Sequence, residues 1–428
     1  MSRTEIKTVE GTFDILPSRF TKPEDKHTHL ERWNLVERTA REAFRRYGFE
    51  EIRTPIIEKL ELFERGVGTE TDVHKEMFTF QTKEDGEVLA LRPESTAAVV
   101  RAYIQHYLSN YAGLVKFFYI GAQFRHERPQ KGRYRQFGQV GVEILGQSDN
   151  PAIEAEVFEM LDWFFKTAGI AATTLLLNSV GDENCRPGFI AALKERLGDK
   201  LPHLCQNCRR RYETNPLRVL DCKVESCQPY LNDLPKITDM LCEACDTHFT
   251  QLRAYLDERG IAYTLQPRLV RGLDYYTRTA FEIIGLSNLG SQNTLVGGGR
   301  YDGLAEILGG PKTKGFGFAC GIERMVMSLP ESVIEQESPS LFIAYIGEAA
   351  RSYSFALARR LRNAGVSVVV DLEGRKLKKA LAVADNIGAQ YSLIIGDDEL
   401  ANERFTLRDM RNSQQQSVTE AELIETLK

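Results

Sequence analysis

Three arginines in distant parts of the chain occupy places where a guanidinium could hold an anion. Arg125 opens RHERPQKGRYR, which packs five Lys/Arg into residues 125–135 of a chain whose net charge is −5. Arg271 precedes Gly272 and the pair Tyr275-Tyr276 in LVRGLDYY. Arg324 falls in the first turn of the helix expected from GIERMVMSL. A cation there is disfavoured by roughly 0.3–1 kcal/mol, and a bound anion would account for it. A planar guanidinium on a rigid element clamps phosphate bidentately, which a flexible lysine does less well. Each has a bland alternative when taken singly: a solvated hairpin loop, tyrosines packed beside a glycine turn, an arginine snorkelling into water.

The segment on either side of the basic loop alternates as a strand does. In QFGQVGVEIL, Val140, Val142 and Ile144 point one way, while Phe137, Gln139, Gly141 and Glu143 point the other. In FYIGAQFR, Phe118, Ile120 and Phe124 share a face opposite Tyr119, Gln123 and Arg125. A face carrying a ring, an amide, a carboxylate and a guanidinium is poor core material and suits the floor of a binding site. Glu127, flanked by cations, could accept from an exocyclic amine, and Phe137 could stack on a base. Together these groups suit a nucleoside triphosphate and a small cationic or amine-bearing substrate. No GxxxxGK[ST] loop is present, so the chain is not of the P-loop type.

Elements that must position these groups can be read from periodicity. Trp33, Val36, Ala40, Phe44 and Tyr47 recur at helical spacing, and YGFEEIRTPIIE reads as turn and strand, interrupted by Pro55. MFTFQTKEDGEVLAL is a hairpin turning at Asp85-Gly86, followed by a helix with Ser95 or Thr96 near its N-cap. A further helix is expected from about 151 to 168, and Ile322, Met325, Val326 and Leu329 form the buried stripe of the helix carrying Arg324. GGGRYDGL, from Gly297 to Leu304, allows close backbone approach to a ligand. The expected organisation is a catalytic α+β domain with a mainly antiparallel sheet over residues 1–181 and 254–331. A small, mostly helical, cysteine-rich insertion takes 182–253, a polar linker 332–339, and an α/β domain with a mainly parallel sheet 340–428.

Composition sets the limits. At 428 residues with 42% hydrophobic and 27% charged residues, the chain has the make-up of an ordinary multidomain globular protein. No run of about 18 apolar residues exists and the N-terminus lacks an apolar signal core, so a cytoplasmic protein without a membrane partner is expected. Any nucleic-acid contact must come from local basic patches, since the chain as a whole is acidic.

The ordered set FRHERPQKGRYRQF with QVGVEILG, LVRGLDYY, LRPESTA, GGGRYDGL and GFACGIERM resembles the histidyl-tRNA synthetase family of class II aminoacyl-tRNA synthetases along essentially the whole chain. The first pair resembles class II motif 2, GFACGIERM motif 3, and GFEEIRTPIIE the dimer-forming motif 1. LVRGLDYY, the histidine-specific motif, is the most distinctive. The resemblance implies a ligase that activates L-histidine with ATP, taken with Mg2+, to histidyl-adenylate and transfers it to tRNA(His), working as a homodimer. On matching positions it implies Arg125, Arg271 and Arg324 as the catalytic cations. Arg125 would hold the α-phosphate, Arg324 the far end of the triphosphate, and Arg271 would face the α-phosphate in place of a metal ion. Glu127, Arg133 and Phe137 complete the implied ATP site. Glu94, Ser95, Thr96, Gln139, Glu143, Tyr275 and Tyr276, with Arg125 and Arg271, form the implied histidine site. Arg128 and Gln130 would reach the tRNA end, and the C-terminal domain resembles the family's anticodon-binding domain. Ser95 stands where the family commonly has glycine. Gly138 stands where a larger residue is frequent, and is expected to face the core.

The resemblance also admits a rival, the synthetase-like regulatory subunit of ATP phosphoribosyltransferase. That paralogue usually lacks the C-terminal domain and degrades the arginine and tyrosine motifs that this chain keeps. Six of eight cysteines, Cys205, Cys208, Cys222, Cys227, Cys242 and Cys245, lie in the insertion as two CxxC pairs and one CxxxxC pair. That spacing suits a structural zinc, which needs four of the six. The resemblance by itself does not call for a metal there.

Overall fold

The apolar stripe of Trp33, Val36, Ala40 and Phe44 produces the helix Leu30–Arg46, which the chain leaves through Gly48 at a positive φ of 76°. The computed structural model describes residues 5–68, 71–83, 86–170, 172–285, 293–334 and 338–427. The chain divides into two units, Met1–Ile334 and Glu335–Lys428. Residues 335–337 of the expected linker and Asp85 of the expected turn lie outside the described residues.

Described strands of the first unit are β1 (Glu50–Glu51), β2 (Ile57–Lys59), β3 (Thr79–Gln81), β4 (Val88–Leu91), β5 (Val115–Phe124), β6 (Gln136–Gly146), β7 (Thr173–Ser179), β8 (Tyr263–Leu265), β9 (Thr277–Gly285), β10 (Thr294–Arg300) and β11 (Lys314–Gly321). Eight form one sheet in the order β1-β5-β6-β11-β10-β9-β7-β8, with the smaller antiparallel sheet β2-β4-β3 apart from it. The six central strands are antiparallel, and only the edge pairs β1·β5 and β7·β8 are parallel. Pro55 separates β1 from β2, as its missing N–H requires.

One face of the large sheet is core. Phe118, Val140, Val142, Ile144, Phe281 and Ile283 pack with the helices Leu30–Arg46 and Ala152–Thr167. The helix Glu243–Glu258 adds Phe249, Leu252 and Leu256 to this core, so it leaves the insertion and ends on the catalytic sheet. A buried cluster ties these layers: Glu154 accepts from Arg300 Nε at 2.7 Å and lies 2.8 Å from His248 Nε2. Burial alone would raise the Glu154 carboxyl, but Arg300 and His248 hold it down at about 2.

In the second unit the strands are β12 (Leu341–Tyr345), β13 (Val368–Val370), β14 (Tyr391–Ile395), β15 (Phe405–Asp409) and β16 (Gln415–Val418), ordered β13-β12-β14-β15-β16. The first three are parallel; β15 and β16 add an antiparallel hairpin. The sheet is therefore mixed, where a mainly parallel one was expected, because FTLRD and QQSV carry too little apolar periodicity to announce strands. Leu341 and Ile343 pack with the helix Glu348–Asn363, and Phe342 and Ala344 with the helix Leu377–Asn386, so both faces are covered.

Candidate functional site

The other face of the large sheet is hollow because large polar side chains stand beside glycines. Strand register places Tyr119 against Gly141, Gln139 between Gly121 and Gly321, Glu143 against Gly317, and Glu282 against Gly297. A Cβ at Gly317 would fall on the Glu143 carboxylate, and one at Gly141 on the Tyr119 hydroxyl, closer than any real Cβ contact. The glycines thus give the polar groups room to lie flat against the sheet and leave a cavity above it.

That cavity is lined by Glu94, Thr96, Arg125, Glu127, Arg133, Phe137, Gln139, Arg271, Tyr275, Tyr276 and Arg324. The three arginines noted first from the sequence therefore face one cavity. Two residues of the expected histidine site do not line it. Glu143 lies beneath the floor, and Ser95 turns its hydroxyl to Gln123, accepting from Nε2 at 2.7 Å. Ser95 therefore does not narrow the pocket. Ser95 holds the N-cap position of the helix Thr96–Gln105, as expected, but its side chain makes no cap bond; the Glu94 carboxylate does, accepting from the N–H groups of Thr96 at 2.6 Å and Ala97 at 3.0 Å. Arg128 and Gln130 lie exposed on the loop between β5 and β6, outside the cavity. Gly138 faces the core as expected: a Cβ there would meet Trp33 at 2.7 Å and Ile322 at 2.9 Å.

At one end of the cavity Arg125 donates from Nε to Pro93 O at 3.0 Å, and its guanidinium lies 5.2 Å from the Phe137 ring centroid. Arg133 is 3.2 Å from Glu127, and Arg125 is 3.9 Å from it. Arg324 donates to the carbonyls of Gly132 at 3.2 Å and Thr294 at 2.7 Å, bridging the basic loop and β10. Burial disfavours the Arg324 charge, Arg133 and Arg125 add to this, and Glu127 opposes them. Cations packed together in this way gain from a polyanion.

Arg271 pairs with Glu282 on β9 and lies 5.9 Å from the Tyr276 ring centroid. A Cβ at Gly297 would collide with its guanidinium. The glycine run was read as room for a ligand; at Gly297 it makes room for Arg271. Burial alone would weaken the Arg271 charge, but Glu282, Tyr276 and Tyr275 more than offset that.

The third part is acidic and aromatic. Glu143 accepts from Thr96 Oγ1 at 2.7 Å and from the Tyr301 hydroxyl at 2.5 Å. Burial pushes its carboxyl up to about 8, against the opposing effect of those two bonds. Burial raises Glu94 as well. Tyr275 and Tyr276 stand with ring centroids 4.7 Å apart, and Tyr301 is 5.8 Å from Tyr275. The Tyr119 hydroxyl and Gln139 Oε1 are buried without a hydrogen-bond partner among the described residues, which leaves them for a ligand.

Tyr301, Glu282 and Glu323 were not singled out as site residues from the sequence, whereas Tyr119 lies on the polar strand face read as a floor. Glu282 could have been found by alternation, since Phe281 and Ile283 must face the core. Tyr301 follows the end of β10, so no periodicity predicts its direction. Glu323 accepts from the Gly138 N–H at 2.8 Å, and burial pushes it up to about 7.

The insertion's six cysteines do not form one group. Cys205, Cys208, Cys222 and Cys227 have their sulfurs within 4.8 Å of one another, while Cys242 and Cys245 lie elsewhere, with Asp182 and Cys185.

Comparison with known proteins agrees with this architecture. Residues 23–325 match the family described as histidyl-tRNA synthetase, and residues 340–428 the anticodon binding domain. The chain is 50% identical over 424 residues to a histidine–tRNA ligase of Solibacter usitatus, covering 98% of both chains. It is 49% identical over 429 residues to one of Koribacter versatilis, covering 98% of this chain and 95% of that one. The apo histidyl-tRNA synthetase of S. aureus superposes with a TM-score of 0.81 at 37% identity, covering 99% of this chain and 100% of that one. A Bacillus halodurans ATP phosphoribosyltransferase regulatory subunit/histidyl-tRNA synthetase shares the fold, with a TM-score of 0.66 at 22% identity over 92% of this chain and 99% of that one.

Proposed function

The chain belongs to the histidyl-tRNA synthetase family and is a histidine–tRNA ligase, and from that premise we propose which side chains of the cavity carry the reaction. ATP, used with Mg2+ by class II synthetases in general, would lie along the arginine end. Phe137 stacks on adenine, Glu127 accepts from its amine, and Arg133 and Arg324 hold the outer phosphates. The histidine carboxylate attacks the α-phosphorus, an α-phosphate oxygen being held between Arg125 and Arg271, and pyrophosphate leaves. The tRNA terminal ribose then attacks the acyl carbon and AMP departs. No covalent enzyme nucleophile is needed, because fixed cations and orientation supply the stabilisation.

Histidine would place its ammonium against Glu94, Thr96 and Gln139, and its imidazole against Tyr275 and Tyr276, over Glu143 beneath the floor. Ser95 supports this wall from behind through Gln123. An apolar amino acid would leave those buried groups unpaired, which allows large discrimination without a second, hydrolytic site. Arg128 and Gln130, exposed on the motif 2 loop, would meet the acceptor end of tRNA(His), and residues 340–428 its anticodon. We assign residues 1–181 and 254–331 to the catalytic domain, and 182–253 to its insertion. We further propose a homodimer formed through motif 1, where Ile56 and Ile57 are about half exposed. Its place would be the cytoplasm, where tRNA is charged; no described helix is long and apolar enough to cross a membrane. Cys205, Cys208, Cys222 and Cys227 would hold a structural zinc, supported by a 3.9 Å Cys205–Cys222 sulfur separation, near the roughly 3.8 Å edge of a tetrahedral thiolate site.

The observation that carries the catalytic assignment is the shared cavity of Arg125, Arg271 and Arg324. Arg271→Ala should lower histidine-dependent exchange of pyrophosphate into ATP by about 10²–10³-fold or more, the loss of one charge-stabilising donor. Exchange within threefold of wild type would refute the assignment.

A further inference from the structure

A second cluster of ligand-type side chains lies at the root of the insertion. Asp182 and Cys185 are three residues apart just after β7, and Cys242 and Cys245 are three apart at the start of the helix Glu243–Glu258. One oxygen of Asp182 and the three sulfurs lie within 4.8 Å of one another. Asp182 Oδ1 is 3.7 Å from both Cys185 Sγ and Cys242 Sγ. A tetrahedral ion at ordinary Zn–S and Zn–O bond lengths sets sulfur and oxygen about 3.5 Å apart, so little adjustment is needed to close on a metal.

The composition of this cluster argues against plain core packing. Cysteine alone can serve as a small apolar residue. A carboxylate only 6% exposed and directed at three sulfurs cannot, because it keeps its charge only with a cation or hydrogen bonds. Its surroundings hold the ligands in place as outer partners do around metals. Asn184 N–H donates to Asp182 Oδ1 at 3.0 Å, Asp182 N–H points to Cys185 Sγ at 3.4 Å, and Arg278 lies 3.6 Å from Oδ2. Arg278 itself keeps a left-handed φ of 49°, which costs energy in a non-glycine residue. It is fixed by a 2.8 Å bond from its N–H to Gly181 O and a 2.6 Å bond from Val180 N–H to its own carbonyl.

We propose that Asp182, Cys185, Cys242 and Cys245 bind a zinc ion of their own, separate from the four-cysteine site, which clasps the entry and exit of the insertion onto the catalytic sheet. Three thiols lose protons to solvent as the ion binds, and no redox step is involved. The clasp sits close to the histidine end of the cavity: Arg186, next to Cys185, donates to Tyr276 O at 2.6 Å, and Arg278 follows Tyr276 by two residues. This inference does not rest on the ligase assignment.

The test uses the full chain with the four-cysteine cluster disabled by Cys208→Ser and Cys222→Ser. After dialysis against a weak chelator, that variant should retain one zinc per chain, and adding Cys245→Ser should remove it. Replacing zinc by cobalt in the same variant gives a second readout: thiolate-to-cobalt charge-transfer absorption with the intensity of three thiolates. Less than half an equivalent of zinc in the Cys208→Ser, Cys222→Ser variant overturns the proposal. So does zinc that survives Cys245→Ser, or loss of two hydrogens by mass showing a disulfide among Cys185, Cys242 and Cys245.

Discussion

Replacing Glu143 by glutamine should stabilise the ligand-free protein relative to wild type by an amount that grows with pH, while crippling histidine use. Glu143 is 1% exposed, and burial raises its carboxyl to about 8 from an ordinary 4.5. Between those values the folded chain holds a proton that the unfolded chain releases. Stability therefore falls as pH rises from about 4.5 and levels off above about 8. From pH 6 to pH 8 the slope accumulates about 2–3 kcal/mol, at about 1.4 kcal/mol per tenfold change in proton concentration. A glutamine does not titrate, and it fits: its oxygen can still accept from Thr96 and its amide can donate to the Tyr301 oxygen. The assay is thermal unfolding of both proteins at pH 6 and pH 8 without ligands. The gap in midpoint, variant above wild type, should widen by several degrees at the higher pH. The same variant should raise KM for histidine by about 10–100-fold, as expected when a buried polar group of the proposed histidine site is left without its partner, with KM for ATP unchanged. A gap that does not change between pH 6 and pH 8 would refute the reasoning that this carboxyl is forced to keep its proton.

Two further perturbations separate the parts of the site. Gly297→Ala puts a methyl where the Arg271 guanidinium lies, so pyrophosphate exchange should fall by at least about 10²-fold while the unfolding midpoint moves little; exchange near wild type would mean that Arg271 needs no bare strand beneath it. Arg128→Ala, on an exposed loop residue, should raise KM for tRNA(His) and leave histidine-dependent exchange within twofold; equal loss in both steps would place Arg128 in the chemistry instead.

How far the molecule was legible in its sequence depended on periodicity. The floor strands β5 and β6 were readable because Val140, Val142 and Ile144 alternate cleanly with Gln139, Gly141 and Glu143, and the structure keeps those faces apart. Glu282 obeyed the same rule but was hidden in a run, TRTAFEII, that reads as ordinary strand. The pairing of each large polar group with a glycine on the next strand could not be read, because register between β6 and β11, or β9 and β10, is set by contacts far apart in sequence. Ser95 or Thr96 was placed near the N-cap of the helix Thr96–Gln105 by preference, and Ser95 holds that position, but its hydroxyl is drawn to Gln123 and the Glu94 carboxylate accepts the cap bonds. Spacing alone left open which four of the six insertion cysteines belong together; the fold groups Cys205, Cys208, Cys222 and Cys227, and places Cys242 and Cys245 with Asp182 and Cys185, from the other end of the insertion.

The most direct measurement is pyrophosphate exchange into ATP by the wild-type protein across the standard amino acids, each tested alone. On the proposed assignment, with Glu94, Gln139 and two tyrosines lining the cavity and Glu143 beneath its floor to receive an ammonium group and an imidazole, exchange should occur with histidine and be lower by about 10⁴-fold or more with every other amino acid. Comparable exchange with any second amino acid, or none with histidine, would contradict it.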